Sequence, residues 1–500
     1  MASSVSNPSS SLHTKLCNQD TMHPDLRAKH LDRLLIIALM ALLGLPAIGA
    51  DARKVNILHI HADDHRADGL HALGTELLQT PNLDTLVQSG MTFTHCYTMG
   101  SMMGAVCLPS RTMMLTGKSW LRIEKQRGPK DATAIVADPA TYLPKVISAA
   151  GYETWHMGKS GNEFHRGIEA FDTNIIEDGR GEDRRLSSQR HADAAVKFLQ
   201  ERKKDHPFYM YIAPPVPHDP RIAAPEFMAR YKASDVKLSP AFMPIHPWDN
   251  GEMGIRDEQL APWPRTEKDT RQQLADYYAC ITGLDFHVGR ILSELKRSGE
   301  LENTIIIFSG DNGLSLGEHG LFGKQNVYEF GGMHVPLVIA GPGIPKGKSD
   351  ALVYLMDLFP TFCEFAGGKI PASVEGKSLL PVIQGRTNKV RDVLYTAYRD
   401  CQRAVRDDRW KLIRYPIVDK TQLFDLSVDP LELRNLAYEP AHAARVAELT
   451  AVLEKEMIQY GDTSPLKVAN PKPAEWKPPQ PGRKKTIQSL PVSTNGAQLK

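Results

Sequence analysis

Short apolar runs alternate with longer stretches of helical spacing along most of this chain, and the two periods predict a layered α/β fold. The run Val55-Asn56-Ile57-Leu58-His59-Ile60-His61 and the run Thr304-Ile305-Ile306-Ile307-Phe308 are short, apolar and β-branched, as buried strands are. Each stops at a polar pair, Asp63-Asp64 after the first and Asp311-Asn312 after the second. Residues 208–213 and 335–340 predict two more strands, the latter closed by Gly341-Pro342-Gly343. Helical spacing covers 141–150, with Gly151 as its stop, then 191–203 and 270–297. Strands alternating with helices predict a large domain with a central, mostly parallel sheet flanked by helices. Ligands of such sheets bind at the carboxyl ends of the strands, where both polar pairs fall.

The pattern changes after Gly385. Residues 393–397, 403–406 and 410–415 are short strand-like runs, and a last helix is expected over about 440–460. They predict a smaller C-terminal antiparallel sheet with one helix, a unit of roughly 80 residues. From 466 the chain is rich in Pro and Lys and reads as a tail that wraps or leaves the domain. At the other end, Arg27, Lys29 and Arg33 precede the apolar run 34–43, and Ala50-Asp51-Ala52 offers a cleavage site. That is the layout of an export signal, too short for a comfortable membrane span; the alternative is an uncleaved anchor. Met22 is an alternative start to Met1, and the mature protein is expected to be periplasmic or secreted, with no stable membrane insertion. The expected division is 1–52 as leader with an N-terminal extension, 53–385 as catalytic domain, 386–465 as the small α+β unit and 466–500 as tail.

A formal net charge of +2 over 500 residues argues against a nucleic-acid partner and makes any attraction for an anion local. Six cysteines without close spacing suggest neither a disulfide framework nor a zinc site. Cys280 and Cys363 fall in apolar helical patterns and read as core, and a Cys96–Cys401 bridge stays open. His59, His61 and His65 lie near Asp63-Asp64, but His59 and His61 share one strand face and read as packing rather than zinc ligands. Oxygen ligands from Asp63, Asp64, Asp311 and Asn312 suit a hard cation, which would offset repulsion between adjacent carboxylates.

The remaining signal is Cys107-Leu108-Pro109-Ser110-Arg111, followed by Leu115-Thr116-Gly117-Lys118. With Thr80-Pro81-Asn82-Leu83-Asp84, Gly158-Lys159, Pro217-His218-Asp219-Pro220, Gly310-Asp311-Asn312-Gly313 and Gly317-Glu318-His319-Gly320 with Gly323-Lys324, it resembles the sulfatases of the alkaline-phosphatase superfamily. His246-Pro247-Trp248-Asp249 and Pro262-Trp263-Pro264-Arg265 look closest to iduronate-2-sulfatase-like and choline-sulfatase-like members. The resemblance implies hydrolysis of a sulfate monoester, on a sulfated small molecule or glycan. It implies oxidation of Cys107 to formylglycine by a dedicated maturation enzyme, and a divalent cation, Ca2+ or alternatively Mg2+, on Asp63, Asp64, Asp311 and Asn312. A hydrated aldehyde offers one oxygen to attack sulfur and a second hydroxyl to expel sulfate afterwards, which divides one hard step into two.

The same resemblance assigns Arg111 to the aldehyde hydrate, Lys159 and Lys324 to the sulfate, and His218 to sulfate or the leaving oxygen. Many relatives carry a histidine two residues after the glycine-lysine pair, where this chain has Gly161. His165 is therefore the expected base on the diol, with His156 in reserve. His334 is expected to be structural or pocket-lining, and His319 either to contact substrate or to shape a turn. The loops 160–190 and 220–270 are the expected seat of specificity, and Arg180, Arg184, Arg185 and Arg190 either contact a polyanionic glycan or form a solvated helix start. Two rivals stay open: a phosphonate or phosphate ester hydrolase of the same superfamily, and a non-catalytic glycan-binding protein with an unmodified Cys107.

Overall fold

In the computed structural model of this chain the described residues are 54–125, 138–179 and 181–478. The expected leader, Met22, the cleavage site, Cys17, Arg180 and the tail from 479 onward lie outside them.

Among the described residues the large sheet has nine strands. They are β1 (Asn56–Ala62), β2 (Met91–Tyr97), β4 (Glu153–Gly158), β5 (Thr173–Ile176), β6 (Phe208–Ala213), β7 (Thr304–Gly310), β8 (His334–Val335), β9 (Leu337–Ala340) and β10 (Gly347–Tyr354). Their order is β10-β2-β9-β7-β1-β6-β4-β5, with β8 beside β2. The block β7-β1-β6-β4-β5 is parallel throughout, and β9 runs against both of its neighbours. The expected strand 335–340 is thus two pieces, broken at Pro336, whose missing N–H cannot join a ladder.

Alternation along the central strands divides the interior into two cores. Ile57, Ile305, Ile307 and Tyr209 face one layer, which holds the helices Cys107–Thr116, Leu143–Ala149 and Leu358–Ala366. Leu58, Ile306, Phe308 and Met210 face the other, which holds Ser187–Glu201 and Glu267–Arg297. Burial on both faces explains why these strands read as unbroken apolar runs. The long helix starts at a Thr266 cap, whose hydroxyl accepts from the Asp269 N–H at 3.0 Å.

The small sheet joins β11 (Leu394–Tyr398), β12 (Gln402–Arg406), β13 (Trp410–Tyr415) and β14 (Lys420–Asp425) in an antiparallel meander, covered by the helix Ala443–Tyr460. It also takes in β3 (Gly100–Ser101), which pairs parallel with β11 six residues before Cys107 ends that loop. Gly100 is required there: at φ 121° its Cα lies so near the Ala397 carbonyl that a Cβ would sit 1.8 Å from the oxygen. Beyond 466 the described part of the tail wraps the body, with Lys472 N–H on the Ile417 carbonyl and the Ala474 carbonyl on Asp249 N–H. Cys96 and Cys401 are free and buried, so the bridge left open does not form, and Cys280 and Cys363 are buried as expected.

One buried contact locks the Thr80-Pro81-Asn82 motif onto the long helix. Asp285 accepts from the backbone N–H of Leu83 at 2.7 Å and of Asn82 at 3.3 Å, groups that open the helix Pro81–Ser89 and have no partner within it. Asp285→Ala is expected to destabilise the protein by about 1–3 kcal/mol, read as a lower urea midpoint at unchanged slope.

Candidate active site

Four parallel strands deliver side chains to one place. β1 ends in Asp63 and Asp64, β7 in Asp311 and Asn312, β4 in Lys159, and β6 in the turn that carries His218. Asp64 takes a left-handed φ of 61°, and its N–H donates to Asp311 Oδ1 at 3.0 Å, which ties the two acidic ends together. Cys107 opens the helix Cys107–Thr116, every residue of which is buried, with Gly117 closing it at φ 67°. The thiol stands among these strand ends, 3.2 Å from Asp63 Oδ1 and 3.7 Å from Asp64 Oδ1. Asn312 Nδ2 is 3.4 Å away and Lys324 Nζ is 3.2 Å away.

The charges interlock. Lys159 Nζ pairs with Asp63, and Lys324 Nζ donates to Asp64 Oδ1 at 2.7 Å. Arg111 Nε donates to Asp311 Oδ2 at 2.9 Å, and its Nη1 donates to Glu163 Oε2 at 2.5 Å. Arg111 Nη2 has no hydrogen-bond partner and lies 3.7 Å from Asp63 Oδ1. His218 Nδ1 meets the Asp219 carbonyl at 2.6 Å, so it carries the ring hydrogen there, and Nε2 faces Asp64 Oδ2 at 3.7 Å.

Burial and neighbouring carboxylates set the protonation of the centre. Burial pushes the Cys107 thiol well up, and Asp311 and Asp63 push it further against Lys159 and Lys324. A thiol held neutral in this way is a poor nucleophile. Burial also raises the Asp63 carboxyl, but Lys159, His218, Arg111 and Lys324 together hold it well below the usual range. Asp311 is pushed up, by burial and then by Asp63. Oxygens of Asp63, Asp64 and Asp311 lie within 4.8 Å of one another and of the Cys107 sulfur, and the buried Asn312 Oδ1 has no donor. Three carboxylates and an amide oxygen that lacks a partner fit a hard divalent cation.

Nine of the ten expected site residues meet here. His165 does not: it is exposed at the start of the short helix His165–Ile168, with no hydrogen bond or ion pair to the cluster among the described residues. Phe164, Gly167 and Ile168 are the buried positions of that turn, which leaves His165 outside. His156 is core, its Nδ1 on Asn174 Oδ1 at 2.7 Å and its ring stacked on Tyr211, and burial lowers its pKa to about 4. His59 and His61 share the Ser309 hydroxyl at 2.8 Å each, a packing role as expected. His319 stacks on Tyr328 with centroids 4.0 Å apart at a φ of 54°, so it shapes a turn. His334 stacks on Tyr97 and is structural.

Two residues in the site carry roles that the sequence did not reveal. Glu163, fully buried, is the second acid on Arg111; only the need of a buried guanidinium for partners hints at it, and that does not say which residue answers. Arg184, named above among glycan contacts, is instead buried and clamps the His218 turn. It donates to the carbonyls of Pro215, His218 and Pro220. The prolines of that turn lack N–H groups, and its carbonyls need such an outside donor. Arg190 pairs with Glu177 at 3.2 Å, and Arg185 sits in the turn Gly181–Leu186.

A buried cluster of interlocked charges around one cysteine, at the carboxyl ends of a mostly parallel sheet, suits a hydrolase of anionic esters. The sulfatase family model matches residues 55–368, and a second model, N-sulphoglucosamine sulphohydrolase, C-terminal, matches 317–459. This chain belongs to the sulfatase family and is a sulfuric ester hydrolase. It is 27% identical to the N-acetylglucosamine-6-O-sulfatase of Bacteroides thetaiotaomicron, over 83% of this chain and 88% of that one. It is 28% identical to the choline-sulfatase of Rhizobium meliloti, over 80% and 85%. Among solved structures it is similar to BT4656 in complex with its substrate D-glucosamine-2-N,6-O-disulfate, at 25% identity and a TM-score of 0.68 over 83% of this chain and 99% of that one. The phosphonate monoester hydrolase of Agrobacterium radiobacter shares the fold at 22% identity and a TM-score of 0.68, over 81% and 96%.

Replacing the clamp tests how the turn is held. Arg184→Met is expected to lower kcat/KM on an aryl sulfate by about tenfold or more through misplacement of His218. The modification state of Cys107, read by mass spectrometry, is expected to stay as in the unaltered protein.

Proposed function

We propose that this chain is an exported sulfatase that removes sulfate from a sulfated sugar through a formylglycine derived from Cys107. The observation that carries the reading is the position of the Cys107 sulfur, which touches Asp63, Asn312 and Lys324 at 3.2–3.4 Å while burial keeps its thiol neutral. Such a sulfur is ill suited to attack, yet it occupies the centre of a cluster of candidate cation ligands and buried cationic side chains. Oxidised to the aldehyde by a maturation enzyme and hydrated, position 107 supplies the oxygen nucleophile.

Asp63, Asp64, Asp311 and Asn312 would hold the divalent cation, with calcium favoured by family resemblance and magnesium as the alternative. Bound there, it would acidify the hydroxyl at position 107 and polarise the sulfate oxygens. Arg111, anchored on Asp311 and Glu163, leaves Nη2 free to donate to the oxygen at position 107. Lys159 and Lys324 each have one ammonium at the acidic cluster, and both are within reach of a sulfate drawn into it. Burial disfavours the charge on each, but Asp63 and Asp64 raise their pKa values, so both stay cationic. His218 holds its Nδ1 hydrogen on a carbonyl, and when the ring is also protonated at Nε2 that second N–H would donate to sulfate or pass its proton to the departing sugar oxygen.

The sugar would be read outside this shell. The loop 220–270 places Arg256 on Asp219 and Asp257, and Asp257 also accepts from Gln325 Nε2 at 2.7 Å, beside Lys324. The likeness to an N-acetylglucosamine-6-O-sulfatase supports a sulfated amino sugar as the first substrate to try. For export, the support is the leader read from the sequence; among the described residues no helix is long and apolar enough to cross a membrane.

The deciding test is the mass of the peptide that carries Cys107, from protein exported in its own host. The mass of an aldehyde in place of the thiol is expected, with Cys107→Ala abolishing turnover of every sulfate ester. An unmodified thiol, in a host that matures its other sulfatases, would overturn the mechanism and favour the glycan-binding reading. Chelation is expected to remove activity and added calcium to restore it.

A further inference from the structure

Besides His218, which is charged only when protonated, seven charged side chains form the innermost shell: the carboxylates of Asp63, Asp64, Asp311 and Glu163, and the cations Arg111, Lys159 and Lys324. None exceeds 9% side-chain exposure, so neither solvent nor salt screens them appreciably. The acids outnumber the bases by one. A divalent cation on the acidic cluster would turn that single negative excess into a single positive one. A sulfate monoester brings one negative charge and neutralises it, whereas a phosphate monoester brings nearly two near neutral pH. In a buried site one unmatched charge weighs heavily.

Glu163 differs from the other three acids in how it takes part. Oxygens of Asp63, Asp64 and Asp311 gather with the Cys107 sulfur, but Glu163 is not in that group. Its Oε2 accepts from Arg111 Nη1 and its Oε1 from the N–H of Phe164, so both oxygens are engaged away from the cation-binding side. It contributes a full negative charge, one arginine removed from the reacting centre, without being a ligand. Farther out, Arg256 offsets Asp219 and Asp257 but is half exposed, and solvent weakens its effect.

Resting on the sulfatase reading above, we propose that Glu163 is a specificity-determining residue that matches the site to singly charged esters and against doubly charged ones. Without its charge, the cation-loaded shell would carry two positive charges and suit a phosphate monoester better. The carboxylate also makes the empty acidic cluster net negative, and so strengthens cation binding from one residue behind the ligands.

The test compares the full-length matured enzyme with Glu163→Gln and Glu163→Asp, on an aryl sulfate and the aryl phosphate of the same leaving group. Rates are scaled to the matured fraction of Cys107, read by mass spectrometry. Glutamine keeps the acceptor for Arg111 but not the charge, and the sulfate-to-phosphate ratio of kcat/KM is expected to fall about tenfold or more. Aspartate keeps the charge but not the reach, so kcat is expected to drop while the ratio holds. Calcium affinity, measured by calorimetry on chelator-stripped protein, is expected to weaken several-fold in Glu163→Gln and much less in Glu163→Asp. Equal losses on both esters in Glu163→Gln, or a ratio that moves as far in Glu163→Asp, would overturn the assignment and leave Glu163 a mere support for Arg111. A matured, unaltered enzyme that turns over neither ester would overturn the sulfatase reading itself; unchanged calcium affinity in Glu163→Gln would then overturn the charge role independently.

Discussion

The burial of charge at the ends of β1 and β7 is the constraint on which the rest of this protein depends. Three aspartates placed out of water repel one another, and none would stay ionised without cations at close range. Arg111, Lys159 and Lys324 come from three separate segments to meet that need. Each has to be held in one geometry, and much of the surrounding architecture holds them. Arg111 rides on a helix with no exposed residue, and Lys159 directly follows the end of β4.

The smaller sheet takes part in this. Its residues reach the two loops that carry Cys107 and Lys324 and join them together. Tyr398 donates to the Gly104 carbonyl at 3.2 Å, and Gln402 to the Gln325 carbonyl at 2.9 Å. Gln325 in turn donates to the same Gly104 carbonyl at 3.2 Å. A buried seam follows, in which Arg406 and Lys411 of the small sheet both pair with Glu329, and Lys411 also pairs with Glu432. The two sheets are therefore mechanically coupled around the site, and the pairing of Gly100–Ser101 with β11 belongs to the same arrangement.

Much of the fold was legible in the chain because central parallel strands are buried on both faces and announce themselves as apolar runs. β1, β6 and β7 were read within a residue or two. The strands that escaped were those with mixed or polar patterns, such as β2 (Met91–Tyr97) and the outer half of β10, where Gly347 to Asp350 face solvent. In the site, most motif residues sit just past a strand end or in the opening turns of a helix, positions that local pattern marks, while Lys324 lies in the long loop between β7 and β8 and was legible only by its motif. The histidine expected as base did not join them. His165 lies at a turn where only the shape of the short helix decides which side chains point inward.

By itself the sequence determined the reactive inventory: a lone cysteine in a Pro-Ser-Arg turn, paired acids at strand ends, and lysines after glycines. Motif and periodicity are local, and they survive in the linear chain. Only the tertiary structure decided which buried charges satisfy one another, since those pairs join segments far apart in the chain. Arg111 meets Glu163 across 52 residues, and Lys324 meets Asp64 across 260. The physical reason is that a buried charge demands a partner without naming one. Which residue answers depends on where packing brings the backbone, and packing placed Glu163 at Arg111 and Arg184 beneath His218.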